Sequence, residues 1–228
     1  METPEAAELA ARQKEIDAAL APHGLVSRGW LSLESGEADG FRSALLVGQG
    51  GASIWPHLSA WMNARPEEVE HPVDEWTRET VDAIAARFAA SAAYPFQQPY
   101  LPFQRWAQRA EGLRASPLGI LMHPRYGLWH AYRAALLFQA EVSIQAPEPP
   151  IHLCDLCDGK PCLSACPAVA WTTAGLAVDA CRGHLRGTSS DACMNGGCLA
   201  RNACPHGAYR YPAAVQSHHQ RHFLGRLS

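Results

Sequence analysis

Long hydrophobic runs are missing from this sequence of 228 residues. The longest apolar stretches, such as the one from Ala134 to Phe138, are far shorter than the roughly 20 residues of a membrane-spanning helix. The opening residues METPEAAELAARQKE also lack the basic and apolar regions of a secretory signal. We therefore expect a cytoplasmic protein that does not cross a membrane.

Blocks of lysine or arginine are also missing, and the formal net charge is −3, from 19 basic and 22 acidic residues. A surface that follows a phosphate backbone needs clustered positive charge. Nucleic acid is therefore not expected as a direct partner, although composition leaves a structured RNA substrate open. The 47% of hydrophobic residues is enough for a proper core, so we expect a globular protein.

Cysteine is absent from the first 153 residues, and all eight cysteines lie between Cys154 and Cys204. Their spacing is C-x2-C-x4-C-x3-C-P, then a single Cys181, then C-x4-C-x5-C-P. Because a 4Fe-4S cluster takes four thiolates, eight cysteines supply two clusters with none left over. The pattern predicts an iron–sulfur protein that transfers electrons.

The two Cys-Pro pairs indicate how the cysteines divide. In bacterial two-cluster ferredoxins the cysteine before proline ligates the other cluster, and both Cys166-Pro167 and Cys204-Pro205 have this form. The sequence therefore assigns one cluster to Cys154, Cys157, Cys162 and Cys204. It assigns the second cluster to Cys166, Cys181, Cys193 and Cys198. Two insertions depart from the compact ferredoxin run: Asp158 to Pro161, and the eleven residues between Cys181 and Cys193.

Clustered cysteines can also form disulfides or bind zinc. Disulfides are typical of small secreted domains, and the missing secretory signal argues against them. Short Cys-x-x-Cys pairs also make tetrahedral zinc sites, but paired zinc sites usually repeat one knuckle and need no proline after the last ligand. Zinc stays as the alternative metal.

Local patterns predict a mixed α+β fold for the part of the chain before the cysteines. Helical spacing of apolar residues predicts helices, and alternation or short apolar runs predict strands. The helices are expected over 4–20, 55–62, 73–92 and 103–113, and the strands over 25–33, 43–47, 119–122 and 129–138, the last two joined by a turn at 123–127. Gly48 to Gly51 is expected to be a glycine-rich turn, because it lacks the full spacing of a dinucleotide-binding loop.

A proline cluster separates these elements from the cysteines. Pro147, Pro149 and Pro150 favour an extended, semi-rigid linker. We therefore expect an N-terminal domain over residues 1–146 and a small ferredoxin-type domain with two 4Fe-4S clusters over residues 147–228.

The N-terminal part resembles the cobalamin-processing CblC family. The resemblance rests on GILMHPRYGLWHAYRAALLF at residues 119–138, with EIDAALAPHGL near the start and HPVDEW at residues 71–76, and it runs from about Glu8 to Pro150. It implies a nitroreductase-like fold that binds a corrinoid. By this resemblance Gly119 lets the backbone approach the corrinoid closely, while Trp129 and Arg133 line the cobalt-facing or co-substrate side. CblC-type binding leaves the lower cobalt position free, so His123 is not expected to be a ligand.

The cysteine-rich half is instead similar to the ferredoxin domain of epoxyqueuosine reductases, with a lone Cys181 between the two runs. Those enzymes also pair a nitroreductase-like, cobalamin-binding domain with two 4Fe-4S clusters. Both resemblances imply the same cofactors. The leading hypothesis is an oxidoreductase that takes single electrons from a ferredoxin or flavoprotein and passes them to a corrinoid in the N-terminal domain.

Two alternatives remain open at this point. The first is an epoxide-reducing or dehalogenating enzyme of the epoxyqueuosine reductase kind, in which Tyr126 or Tyr132 would supply the proton. The second is a ferredoxin whose first domain binds flavin or merely docks a partner, with Arg125 and Arg133 as candidates for a flavin phosphate. A homodimer, common among nitroreductase-like folds, is compatible with each. His218, His219 and His222 are expected to form a solvated helix end.

Overall fold

A computed structural model of the chain describes residues 4–67, 69–142, 144, 147–172 and 174–225. The chain divides into two compact units. The first unit is Met1–Gly112 with Ala131–Pro149, and the second is Leu113–His130 with Pro150–Ser228. Within the described ranges, no helix combines the length and the apolar character that a membrane crossing requires.

The helices and strands are numbered in chain order. They are α1 (Pro4–Leu20), β1 (Val26–Ser32), β2 (Ser43–Gly50), α2 (Trp55–Asn63), α3 (Pro72–Arg87), β3 (Ser91–Ala93), α4 (Phe103–Glu111), β4 (Arg114–Ala115), β5 (Leu121–Met122), β6 (His130–Phe138), β7 (Trp171–Thr172), β8 (Gly175–Leu176), α5 (Val178–Arg186), α6 (Asp191–Gly196), α7 (Leu199–Asn202) and α8 (Ala213–Gly225). Two 3-10 turns, Ala21–His23 and Pro161–Leu163, complete the set.

The first unit is built on a four-stranded sheet in the order β1-β2-β6-β3. β1 and β2 are antiparallel, and so are β3 and β6. The helices α1 and α4 contact β1, and α3 contacts β3. A hydrophobic core of this unit includes Ile16, Leu20, Leu45, Val47, Trp76, Val81, Ile84, Leu136 and Phe138.

Gly29 allows α4 to lie close to the sheet. Its φ is +86°, and a Cβ added there would lie 2.7 Å from the carbonyl oxygen of Ala110. Only glycine adopts this backbone region without strain and leaves that space free. The close approach brings the end of α4 against β1, which matters for the buried charges described below.

The second unit has little regular sheet. β4 pairs with β5 and β7 pairs with β8, each as a short antiparallel ladder. The helix α6 packs on α8 and α7. The buried core contains cysteines as well as aliphatic side chains; it comprises Leu118, Met122, Leu128, Cys154, Cys162, Ala200 and Cys204.

Most of the predicted elements are confirmed, and three predictions need correction. The helix expected over 73–92 ends at Arg87, and Ser91–Ala93 forms β3 because its backbone pairs with β6. The strands around the turn at 123–127 are not partners: β5 pairs with β4, whereas β6 belongs to the four-stranded sheet. In both cases a distant hydrogen-bonding partner overrides local propensity.

The third correction concerns the glycine-rich segment. Gly48 and Gly50 lie inside β2 and do not form a turn. A Cβ at Gly48 would lie 2.3 Å from the carbonyl oxygen of Ala131 on the neighbouring strand. The glycine therefore serves close packing within the sheet.

Candidate functional site

The eight cysteines lie in the second unit, on short helices and the loops between them. Cys154 and Cys157 are in a loop, and Cys162 is in the 3-10 turn Pro161–Leu163. Cys181 lies on α5, Cys193 on α6, Cys198 directly before α7, and Cys204 just after it. All eight are free thiols. Cysteines that are far apart in sequence are thus carried by several short helices and the loops that connect them.

Four of the cysteines interact electrostatically as one set, which we name the first foursome: Cys154, Cys157, Cys162 and Cys204. Burial, and then the negative charges of Cys204, Cys162 and Cys157, raise the pKa of Cys154 to about 11. The pKa of Cys162 is raised by burial and then by Cys204 and Cys157. Burial and the charge of Cys157 likewise raise the pKa of Cys204. These are the cysteines that the sequence assigned to one cluster.

The remaining four form the second foursome: Cys166, Cys181, Cys193 and Cys198. Burial, followed by the charges of Cys198, Cys166 and Cys193, raises the pKa of Cys181 to about 11. The pKa of Cys193 is raised by burial and by Cys198 and Cys166. Every cysteine partner in these interactions belongs to the same foursome, so the two sets do not mix.

The second foursome also lines one cavity of about 200 Å³. Its walls are mostly apolar and include Leu118, Ile120, Trp171 and Leu185. A single water molecule needs on the order of 15 Å³ of such volume. The cavity therefore has room for a group of several atoms, which is larger than one metal ion.

Each foursome offers the number and type of donor that a 4Fe-4S cluster takes. Four thiolates close together repel one another, and a thiol whose pKa is about 11 keeps its proton at neutral pH. A bound metal takes the place of those protons and is stabilised by the same charges. Among the described residues, no three His, Cys, Asp or Glu side chains already converge into a metal-binding arrangement. Each foursome is thus defined by the electrostatic interactions between its thiols. The second foursome is also defined by the cavity that its four cysteines line.

Gly119 and Trp129, predicted to contact a corrinoid, both lie in the second unit. Gly119 has φ +69°, and a Cβ added there would meet nothing within 4 Å. Trp129 is fully buried and packs edge-on against Tyr211, with 5.3 Å between ring centroids. The guanidinium of Arg201 lies 4.4 Å from the Trp129 ring centroid. Gly119 is therefore open to approach, whereas Trp129 has no exposed face.

Arg133, the third predicted pocket residue, lies in the first unit on β6. Its Nε donates a hydrogen bond of 2.8 Å to the side-chain oxygen of Gln49. The Gln49 amide in turn donates to the carbonyl oxygen of Gly51. Gln49 was not singled out from the sequence, since a lone glutamine carries no positional signal. The pair fixes the direction of the Arg133 side chain.

The tyrosines proposed as proton donors are both engaged. The Tyr132 hydroxyl donates a hydrogen bond to Glu111. Glu111 also forms a bidentate ion pair with the buried Arg28. Burial raises the pKa of Tyr132 well above its usual range, and the hydrogen bond to Glu111 acts in the same direction. Tyr126 stacks on His123 at 4.5 Å between centroids. Tyr132 is therefore a weaker acid than an ordinary tyrosine.

Polar groups around the predicted turn and in α8 have structural contacts. His123 Nδ1 accepts hydrogen bonds from the backbone N–H groups of Arg125 and Tyr126. The Arg125 side chain donates to the hydroxyl of Tyr209. His218, His219 and His222, expected to form a solvated helix end, are each partly buried on α8, so they are only in part solvated.

Comparisons with known proteins bear on the fold. No protein-family model matches the sequence, and no curated protein matches it. The structure of the B12-trafficking protein CblC from C. elegans has a TM-score of 0.54 and 13% identity, covering 97% of this chain and 98% of that one. The structure of epoxyqueuosine reductase from Bacillus subtilis has a TM-score of 0.53 and 13% identity, covering 88% of this chain and 66% of that one. The mixed α/β architecture with CblC-like and epoxyqueuosine-reductase-like neighbours is thus confirmed.

Proposed function

We propose that this protein is an iron–sulfur oxidoreductase that reduces a cobalt corrinoid. The two foursomes hold one 4Fe-4S cluster each, and the corrinoid is the substrate of the N-terminal domain. The observation that carries the proposal is the division of the eight thiols: electrostatic proximity groups them into the same two sets that the Cys-Pro pattern assigned. The spacing of the cysteines and the electrostatic interactions between their thiols both support this assignment.

The protein contributes ligands and an environment of low dielectric constant. The thiols of each foursome lose their protons to bind metal, and the apolar walls around the second foursome limit the access of water to the partly exposed sulfurs. When bound, 4Fe-4S clusters supply one-electron transfer at potentials that extend to roughly −700 mV. Burial and solvent exclusion by this chain set where in that range each cluster lies.

The corrinoid part of the proposal is supported by the fold neighbours and by one feature of the first unit. One neighbour is, by name, a B12-trafficking protein, and the other is a reductase. In the first unit, Arg133 presents a guanidinium oriented by Gln49. One electron from a reduced ferredoxin or flavoprotein would be used for each step of cobalt reduction.

A second candidate function is the reduction of an organic substrate, favoured by the fold match to epoxyqueuosine reductase. That chemistry needs a proton donor beside the cobalt. The raised pKa of Tyr132 and its hydrogen bond to Glu111 make this side chain a poor donor. Tyr126 is left as the candidate donor for this chemistry. Corrinoid reduction needs no such donor and is therefore the function that we place first.

The cluster assignment is tested by iron and sulfide analysis of anaerobically purified protein. We expect about eight irons in the wild type and about four in each of the variants Cys204→Ser and Cys198→Ser. The crossed assignment predicts a further difference: the paramagnetic signals that the two variants retain belong to different clusters. If both variants lose the same signal, Cys198 and Cys204 share a cluster and the crossed assignment is wrong.

Corrinoid reduction is tested by adding cob(II)alamin to the reduced wild-type protein and following cobalt by electron paramagnetic resonance. We expect the cobalt(II) signal to change on binding and to disappear as the clusters become oxidised. Protein that carries eight irons but leaves the cobalt signal unchanged would refute corrinoid reduction and leave the flavin or docking alternative.

A further inference from the structure

Arg201 lies within the second cysteine run, on α7 between Cys198 and Cys204. It lines the same cavity as all four cysteines of the second foursome. Most other residues around that cavity are apolar. Arg201 is partly buried and places a permanent positive charge beside these apolar walls and the four thiols.

The guanidinium of Arg201 is held in a fixed position. One terminal nitrogen donates to the carbonyl oxygen of Leu128. The group lies 4.4 Å from the ring centroid of Trp129 and 4.9 Å from that of Tyr211. Trp129 is fully buried and packs edge-on against Tyr211, so the two rings form a rigid support. The direction of the remaining N–H groups is therefore set by packing.

The Nε atom of Arg201 is buried and has no hydrogen-bond acceptor among the described residues. A buried donor without an acceptor lowers stability, and more so when it is charged. Three kinds of group that line the cavity can accept a hydrogen bond: the sulfurs of the second foursome, the His184 ring and the Gln220 amide. Of these, only the sulfurs become negatively charged when they bind metal, so they attract the guanidinium most strongly. The Arg201 Nε–H thus lacks a hydrogen-bond acceptor, which a thiolate would supply. The guanidinium in turn supplies a positive charge close to the thiolates.

We infer that Arg201 sets the reduction potential of the second cluster. This role rests on the proposed function. The Nε–H donates to a sulfur of the bound cluster, and the guanidinium charge stabilises the form that carries one more electron. Hydrogen bonds to cluster sulfurs and nearby net charge are known to set such potentials. Arg201 therefore makes the second cluster easier to reduce than it would be without the guanidinium.

The test is an anaerobic redox titration of the full chain with dithionite, followed by electron paramagnetic resonance. The variants are Arg201→Met, which removes charge and donor, and Arg201→Lys, which keeps the charge and loses the Nε donor. The control is Arg221→Gln, which removes an exposed charge from α8 outside the cavity. Iron and sulfide are measured in every preparation.

We expect Arg201→Met to lower the equilibrium constant for one-electron reduction of one cluster about tenfold. This corresponds to a midpoint potential about 59 mV more negative. The other cluster should keep its potential. Arg201→Lys recovers part of that change and Arg221→Gln shows none. The inference is overturned if Arg201→Met keeps both clusters at wild-type potentials, or shifts both no more than the control does. If Arg201→Met fails to retain iron, a wild-type potential in Arg201→Lys refutes the Nε hydrogen bond. Iron and sulfide missing from the wild type would instead refute the clusters themselves.

Discussion

The buried ion pair between Arg28 and Glu111 makes a sharp prediction about the stability of the first unit. Arg28 is 2% exposed and Glu111 is 15% exposed, and two hydrogen bonds of 2.9 Å join them. The variant Glu111→Gln leaves the Arg28 charge buried without its carboxylate. Breaking a buried pair in this way costs about 3–5 kcal/mol, and the partial exposure of Glu111 places the expected loss near 3 kcal/mol.

The measurement is hydrogen exchange by mass spectrometry at the slowest amides of β1 and β2, read in the full-length protein. A loss of about 3 kcal/mol accelerates exchange by roughly 100-fold, since about 1.4 kcal/mol corresponds to a factor of ten. The matched control is Glu79→Gln, because Glu79 pairs with Arg65 but is 56% exposed. An exposed pair contributes about 0–1 kcal/mol, so this control should stay within about fivefold of wild type.

The reasoning would be refuted if Glu111→Gln accelerated exchange no more than Glu79→Gln does. A double variant, Arg28→Met with Glu111→Leu, separates buried charge from lost packing. Removing both charges should recover much of the protection, because replacing a buried pair by apolar groups is often neutral or stabilising.

Further predictions concern other contacts. Gly48→Ala should destabilise the first unit by about 1–3 kcal/mol in urea unfolding, since the added Cβ would lie 2.3 Å from the carbonyl oxygen of Ala131; wild-type stability would contradict the close packing of the strands. Burial by itself would raise the pKa of Glu37, but hydrogen bonds from the Glu34 backbone, Arg109 and Trp106 outweigh it and lower that pKa. The stability difference between wild type and Glu37→Gln should therefore be full at pH 7 and shrink as pH falls below about 4; a difference that grows on acidification would reverse this sign. Trp129→Ala should lower the free energy of unfolding by about 3–5 kcal/mol because the ring is fully buried. An unchanged unfolding midpoint together with weaker cob(II)alamin binding would contradict this, and would show that Trp129 acts mainly by contacting the ligand.

Local sequence determined the features that depend on neighbouring residues or on simple counting. Pro4 and Gly24 flank the first helix and the turn that follows it, as the pattern predicted. The number of cysteines and the two Cys-Pro pairs predict a division of the thiols into two sets of four. Ligand number is set by the chemistry of the cluster, so it can be read without a structure.

Only the tertiary structure decided which distant groups meet. The backbone of Ser91–Ala93 follows a helical pattern in sequence but becomes β3, because the edge of β6 offers it hydrogen bonds. Arg28 and Glu111 are 83 residues apart in sequence, and no local signal pairs them. Arg201 reaches the cavity of the second foursome because Trp129 and Tyr211, both outside the cysteine run, support its side chain. Residue type and spacing therefore determined which ligands the chain offers, whereas burial, which depends on every packed neighbour, decided the charges and donors that surround them.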